Sequence, residues 1–113
     1  MRKLIFFAAL LGTTACWAQS VDVGHCNFPE VPDMVDGTAA SEEKMASAAA
    51  AVREFVTAMQ SSLQCIDTVE AGLGAGITAE QKAALNVLYN NGVDQMNAIA
   101  EAYNTQVRAF KAR

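Results

Sequence analysis

Apolar residues recur every seven positions from Met45 through Val52, Met59 and Ile66 to Leu73, with alanine filling much of the space between them. A seven-residue period keeps one stripe of a helix turned toward a neighbour, so the spacing predicts a long helix packed side by side with another. A second stripe follows a glycine-rich gap: Leu85, Tyr89, Gly92, Met96, Ile99, Tyr103, Val107 and Phe110, mostly four and three apart. Together they predict an all-α fold, an antiparallel, coiled-coil-like two-helix hairpin over 41–113, with helices at about 41–72 and 79–111. On the first helix Val52, Phe55, Val56, Met59, Leu63, Ile66 and Val69 share one broad face. Arg53, Glu54, Thr57, Gln60 and Gln64 lie off it.

The ends carry matching signals. Ser41 can cap the first free amides, and Glu42 and Glu43 stand where the helix dipole favours negative charge. Gly72, Gly74 and Gly76 end the helix and supply the reversal. Thr78 and Gln81 are spaced as a capping box for the second helix, whose C-terminal end is basic at Arg108, Lys111 and Arg113. Antiparallel packing brings that basic end near Glu42 and Glu43. Asn90-Asn91-Gly92 is a turn signal, but the apolar spacing runs through it unbroken. The expectation is a continuous helix in which Gly92 permits close approach, at a cost of about 1 kcal/mol relative to alanine.

The front of the chain has a different character. Arg2 and Lys3 precede a short apolar run from Leu4 to Leu11, and Cys16-Trp17-Ala18 places small residues where a signal peptidase tests them. Residues 1–18 therefore read as an export signal cut after Ala18, and the protein as periplasmic or secreted. The run is too short to span a bilayer, and nothing later resembles a membrane span. Thr13 to Cys16 loosely imitates the site at which bacterial lipoproteins are cut and acylated, which leaves a lipid anchor at Cys16 as the alternative. Losing Arg2 and Lys3 takes the net charge from −4 to −6. Such a chain has no basic patch for phosphate backbones, which argues against nucleic-acid partners.

Residues 19–40 read as an extended arm. Pro29 and Pro32 push Phe28 and Val31 away from helical geometry, and Asp33, Asp36 and Gly37 add turn chemistry. Cys26 and Cys65 remain once Cys16 is removed, and an even pair in an exported chain is most simply one disulfide. Two free thiols or a bridge between two chains are the other readings. Cys65 lies about 36 Å up the helix from Ser41, while the chain from Cys26 to Ser41 can reach about 50 Å. The bridge thus requires the arm to double back along the hairpin, and Phe28 to Val35 is expected in the groove between the helices. A small hairpin needs such a staple, or a partner subunit, because its core is limited.

Candidate chemistry is sparse. His25 is the single histidine and adjoins Cys26, but a structural zinc site wants about four ligands, so the reading is a surface histidine beside a disulfide. Met45, Met59 and Met96 fall on the seams, where packing accounts for them without copper. Asp67 and Glu70 read as a solvated face. No catalytic residue, metal site or cofactor is expected. Tyr89, Met96, Tyr103 and Phe110 stand at seven-residue intervals, and any part of that stripe left open is the candidate interaction face.

Cys26, Pro29, Pro32, Met45 and Cys65, with the tail Tyr89-Asn90, Val93-Asp94-Gln95-Met96, Tyr103-Asn104 and Val107 to Lys111, resemble a group of small exported proteobacterial helical-hairpin proteins of unassigned role. That resemblance implies a fold and a compartment. More weakly, Ile77-Thr78-Ala79-Glu80-Gln81 resembles the Leu-Thr-x-x-Gln signature of periplasmic stress chaperones and metal-responsive proteins of the Spy and CpxP type. The leading expectation is a non-enzymatic periplasmic interaction or structural module acting through a helical face on a protein partner or a second copy, such as a homodimer. A periplasmic holdase-type stress chaperone, or a metal-responsive protein of the Leu-Thr-x-x-Gln type, is the alternative.

Overall fold

The computed structural model describes residues 21–113. Residues 1–18, expected from the sequence to be an export signal, and Cys16 within them lie outside the described residues. Two long helices, α1 (Glu42–Leu73) and α2 (Ala79–Lys111), are joined by a 3-10 turn at Gly74–Gly76 and pack as an antiparallel hairpin. The segment before α1 is irregular and is tied back onto the hairpin by a Cys26–Cys65 disulfide with a Cα–Cα distance of 5.6 Å.

The caps explain where each helix begins. The Ser41 hydroxyl accepts a hydrogen bond from the Lys44 amide at 3.2 Å, with Glu42 and Glu43 in the first turn. At α2 both halves of the capping box are present. The Gln81 amide donates to the Thr78 hydroxyl at 3.1 Å, and the Thr78 amide donates to Gln81 Oε1 at 3.0 Å. α1 continues through Gly72 to Leu73, within a residue of the end expected at about 72. Gly74 is the residue that breaks it, at φ +55°, a left-handed conformation that costs glycine nothing sterically.

The core is a single seam. Phe55, Met59, Leu63 and Ile66 of α1 meet Leu85 and Ile99 of α2, and Met59, Ile66 and Leu85 have essentially no exposed surface. On α2 the buried positions Leu85, Gly92 and Ile99 are seven residues apart. The rest of the second stripe is half-buried along the edges of the seam. α2 runs unbroken through Asn90 and Asn91 because Gly92 sits at the point of closest approach. A Cβ there would come within 2.8 Å of Leu63 Cδ2 and 3.0 Å of Met59 Sδ.

The arm departs from the expected path. It doubles back as the disulfide demands, and Val21, Val23 and Met34 pack against the core. Its middle, however, does not fill the groove between the helices. Pro29 and Pro32 lie over Ala51, Glu54, Phe55 and Ala58 of α1, with a crevice of about 290 Å³ left between them. Phe28 (39 % exposed) and Val31 (52 % exposed) turn to solvent. Pro29 and Pro32 are three residues apart, the repeat of polyproline II geometry, so both rings can face α1 while Phe28 and Val31, also three apart, face outward together.

The arm is hydrogen-bonded to α2 at Gly37, whose amide donates to Gln106 Oε1 at 2.9 Å. A Cβ at Gly37 would overlap the backbone carbonyl of Gln106, so this contact requires glycine. Beside it, Asp36 accepts from the Thr38 hydroxyl at 2.7 Å and the Thr38 amide at 3.0 Å. These bonds hold its carboxyl below the ordinary carboxylate range. At this end Arg113 Nη1 donates to the Ala40 carbonyl at 2.7 Å, while its guanidinium lies 4.5 Å from the centre of the Phe110 ring. The basic terminus thus meets the start of α1 through a backbone carbonyl.

Two substitutions test this packing by urea unfolding. Gly92→Val should lower stability by about 2–3 kcal/mol through overpacking, while Gly92→Ala should change it by less than about 1 kcal/mol, helix propensity offsetting the crowding. Gly37→Ala should detach the arm junction while leaving the helical circular dichroism intact, visible as faster amide exchange at Gly37 and its neighbours. Unchanged exchange there would show that the contact with Gln106 does not hold the arm.

Candidate interaction site

The hairpin has two unlike sides. On one, the arm covers part of the seam. The other carries an open groove of about 360 Å³ lined by Gln60, Leu63, Gln64 and Asp67 of α1 and by Tyr89, Val93 and Met96 of α2. Helical spacing builds it: Leu63 and Gln64 each stand three or four residues from both Gln60 and Asp67, and Tyr89, Val93 and Met96 are four and three apart, so each set lines one face. The groove has an apolar floor at Leu63, Val93 and Met96 and a polar rim of two amides and a carboxylate. That mixture suits a side chain or helix with an apolar ridge and hydrogen-bonding flanks.

Of the four residues expected to form an interaction face, the structure brings two together here. Tyr89 and Met96 line the groove and also pack against the core. Tyr103 and Phe110 lie farther along α2 and are engaged within the chain. The Tyr103 hydroxyl donates a long bond of 3.4 Å to the Met45 carbonyl, and Phe110 lies under the Arg113 guanidinium. The stripe is thus divided along its length. Sequence reasoning left out Gln60, Gln64 and Val93; their i, i+3 and i+4 spacing opposite the α2 stripe was the available signal. Asp67, read as a solvated carboxylate, is exposed and forms part of the rim.

A second cluster surrounds the disulfide. Cys26 is buried, Cys65 is partly exposed and His25 is exposed. The ligand atoms of all three lie within 4.8 Å of one another. Hydrogen bonds hold the local chain alongside the sulfur–sulfur bond. The Cys26 amide donates to the Val23 carbonyl at 2.8 Å to close a turn, and the Gly24 amide donates to Asp22 Oδ1 at 2.9 Å within it. The hydroxyl of Ser62, itself buried and one helical turn before Cys65, has its single proton within reach of both the Asn27 and the Ala58 carbonyls, a shared donation. No helix among the described residues is long and apolar enough to cross a membrane.

Comparison with known proteins finds no matching family model, curated protein or solved structure.

The disulfide closes a loop of 39 residues of sequence separation, for which loop entropy gives about 4 kcal/mol at most. Reduction should therefore lower the urea midpoint with little loss of helical signal in the native baseline, since the seam contains neither cysteine. Retention of the full oxidised midpoint after complete reduction would remove the bond from the account of stability.

Proposed function

We propose that this protein is a small exported, non-enzymatic interaction module that presents the groove between α1 and α2 to a protein partner. The observation that carries the reading is the asymmetry of the hairpin. The arm is stapled over one side, while Leu63, Tyr89, Val93 and Met96 leave an apolar-floored groove open on the other. An open groove with hydrogen-bonding groups at its rim is the usual setting for a docked segment. The disulfide suits an exported protein, because such bonds persist in oxidising compartments. The Ile77 to Gln81 letters that resemble the chaperone signature act here as a helix cap, a local structural reason for the same residues.

Photo-crosslinking in intact cells tests this directly. A crosslinker at Met96 should give one or two discrete adducts in the envelope fraction, weakened at least about tenfold by Val93→Glu, while one at exposed Val87 gives none. A broad smear of adducts would instead favour a holdase-type chaperone. Equal labelling from Met96 and Val87 would dismiss the groove as the binding face.

A further inference from the structure

We propose that His25, Cys26 and Cys65 constitute a redox-gated zinc site, closed while the two sulfurs are bonded and opened when a dithiol reductant cleaves that bond. Three observations support it. The imidazole nitrogen and both sulfurs already lie within 4.8 Å of one another. In a tetrahedral zinc site with bonds of about 2.0–2.3 Å, neighbouring ligand atoms stand about 3.3–3.8 Å apart. The histidine therefore needs to close by about an ångström, and the sulfurs to part by side-chain rotation from backbones 5.6 Å apart at Cα.

The second observation is that hydrogen bonds hold the chain around the ligands in addition to the sulfur–sulfur bond. The turn closed by the Cys26 amide and the Val23 carbonyl presents His25 and Cys26 together. Ser62 clamps the carbonyl of Asn27, the residue after Cys26, onto the same stretch of α1 that carries Cys65. The third is access: His25 is exposed and Cys65 partly so, which leaves the fourth position of the metal to water. Two cysteines, one histidine and a water form an established zinc ligand set. Thiolate and imidazole together favour zinc over magnesium or calcium.

The chemistry balances. The dithiol's thiolate attacks Cys65 Sγ, the more accessible sulfur, and displaces the Cys26 thiolate. The donor's second thiol then resolves the mixed disulfide. Two electrons and two protons pass to the cysteines, and the donor leaves as its own disulfide. Zinc binding then releases two protons as both thiols become thiolates. Attack of a cysteine thiolate on a disulfide donor, followed by displacement by the other thiolate, re-forms the Cys26–Cys65 bond, reduces that donor to its dithiol and expels the metal. In either state Cys26 stays tethered to α1, by sulfur or by zinc.

The test is a cobalt(II) titration of the protein in a Cys16→Ser background, anaerobic and reduced by a phosphine, with helix content followed in parallel. Reduced protein should develop thiolate-to-cobalt charge-transfer absorption and intense visible bands at one equivalent, both bleached by Zn²⁺, whereas oxidised protein develops neither. His25→Ala, which spares the disulfide and the seam, should weaken binding at least about tenfold. Zinc should also restore protection of reduced protein against a Glu-specific protease at Glu30. Absence of charge-transfer absorption in folded, reduced protein would overturn the proposal. So would an unchanged cobalt affinity in His25→Ala, or loss of helix on reduction that metal does not reverse.

Discussion

The seam between α1 and α2 depends on how closely the two backbones can approach, and that distance is set where Gly92 faces Leu63 and Met59. Helix packing is a short-range interaction: dispersion between side chains falls away within an ångström of extra separation. With no side chain at Gly92, Met59 and Leu63 lie directly against the α2 backbone. The seven-residue spacing of Leu85, Gly92 and Ile99 then carries the contact along the hairpin. The same glycine explains why two asparagines beside it do not break the helix. Continuous packing on both sides outweighs a local turn preference worth about a kilocalorie per mole.

Two helices laid side by side each bury one stripe and leave both flanks of the seam open. This chain closes one flank with its own arm. The arm has little regular structure, so it is held at separate points: the disulfide, the Asn27 carbonyl accepting from Ser62, the apolar contacts of Val21, Val23 and Met34, and Gly37 against Gln106. Gln106 falls seven residues beyond Ile99, where the apolar series of the seam turns polar. The arm enters there, with a glycine small enough to touch the α2 backbone and an amide for the glutamine to accept. Sidedness follows: one flank is occupied from within the chain and the other remains a groove.

The same arrangement places the sparse chemistry of the chain at the arm's anchor. His25 and Cys26 are adjacent in sequence, whereas Cys65 reaches them only because the arm folds back the length of more than half of α1. A ligand set of three is therefore assembled by the anchor, while the groove on the other flank is formed by the helices alone.

The amino-acid sequence by itself determined the two helices and their caps, and made continuity through Gly92 and the pairing of Cys26 with Cys65 the simplest readings, which the structure shows. These follow from periodicity, from capping residues a few positions apart, and from the arithmetic of two cysteines, all local or nearly so. Tertiary structure alone decided the path of the arm, the exposure of Phe28 and Val31, the division of the stripe into Tyr89 and Met96 in the groove and Tyr103 and Phe110 engaged elsewhere, and the clustering of His25 with both sulfurs. Those features depend on which face of an irregular segment meets a helix. An extended chain punctuated by prolines carries no period from which that choice can be read.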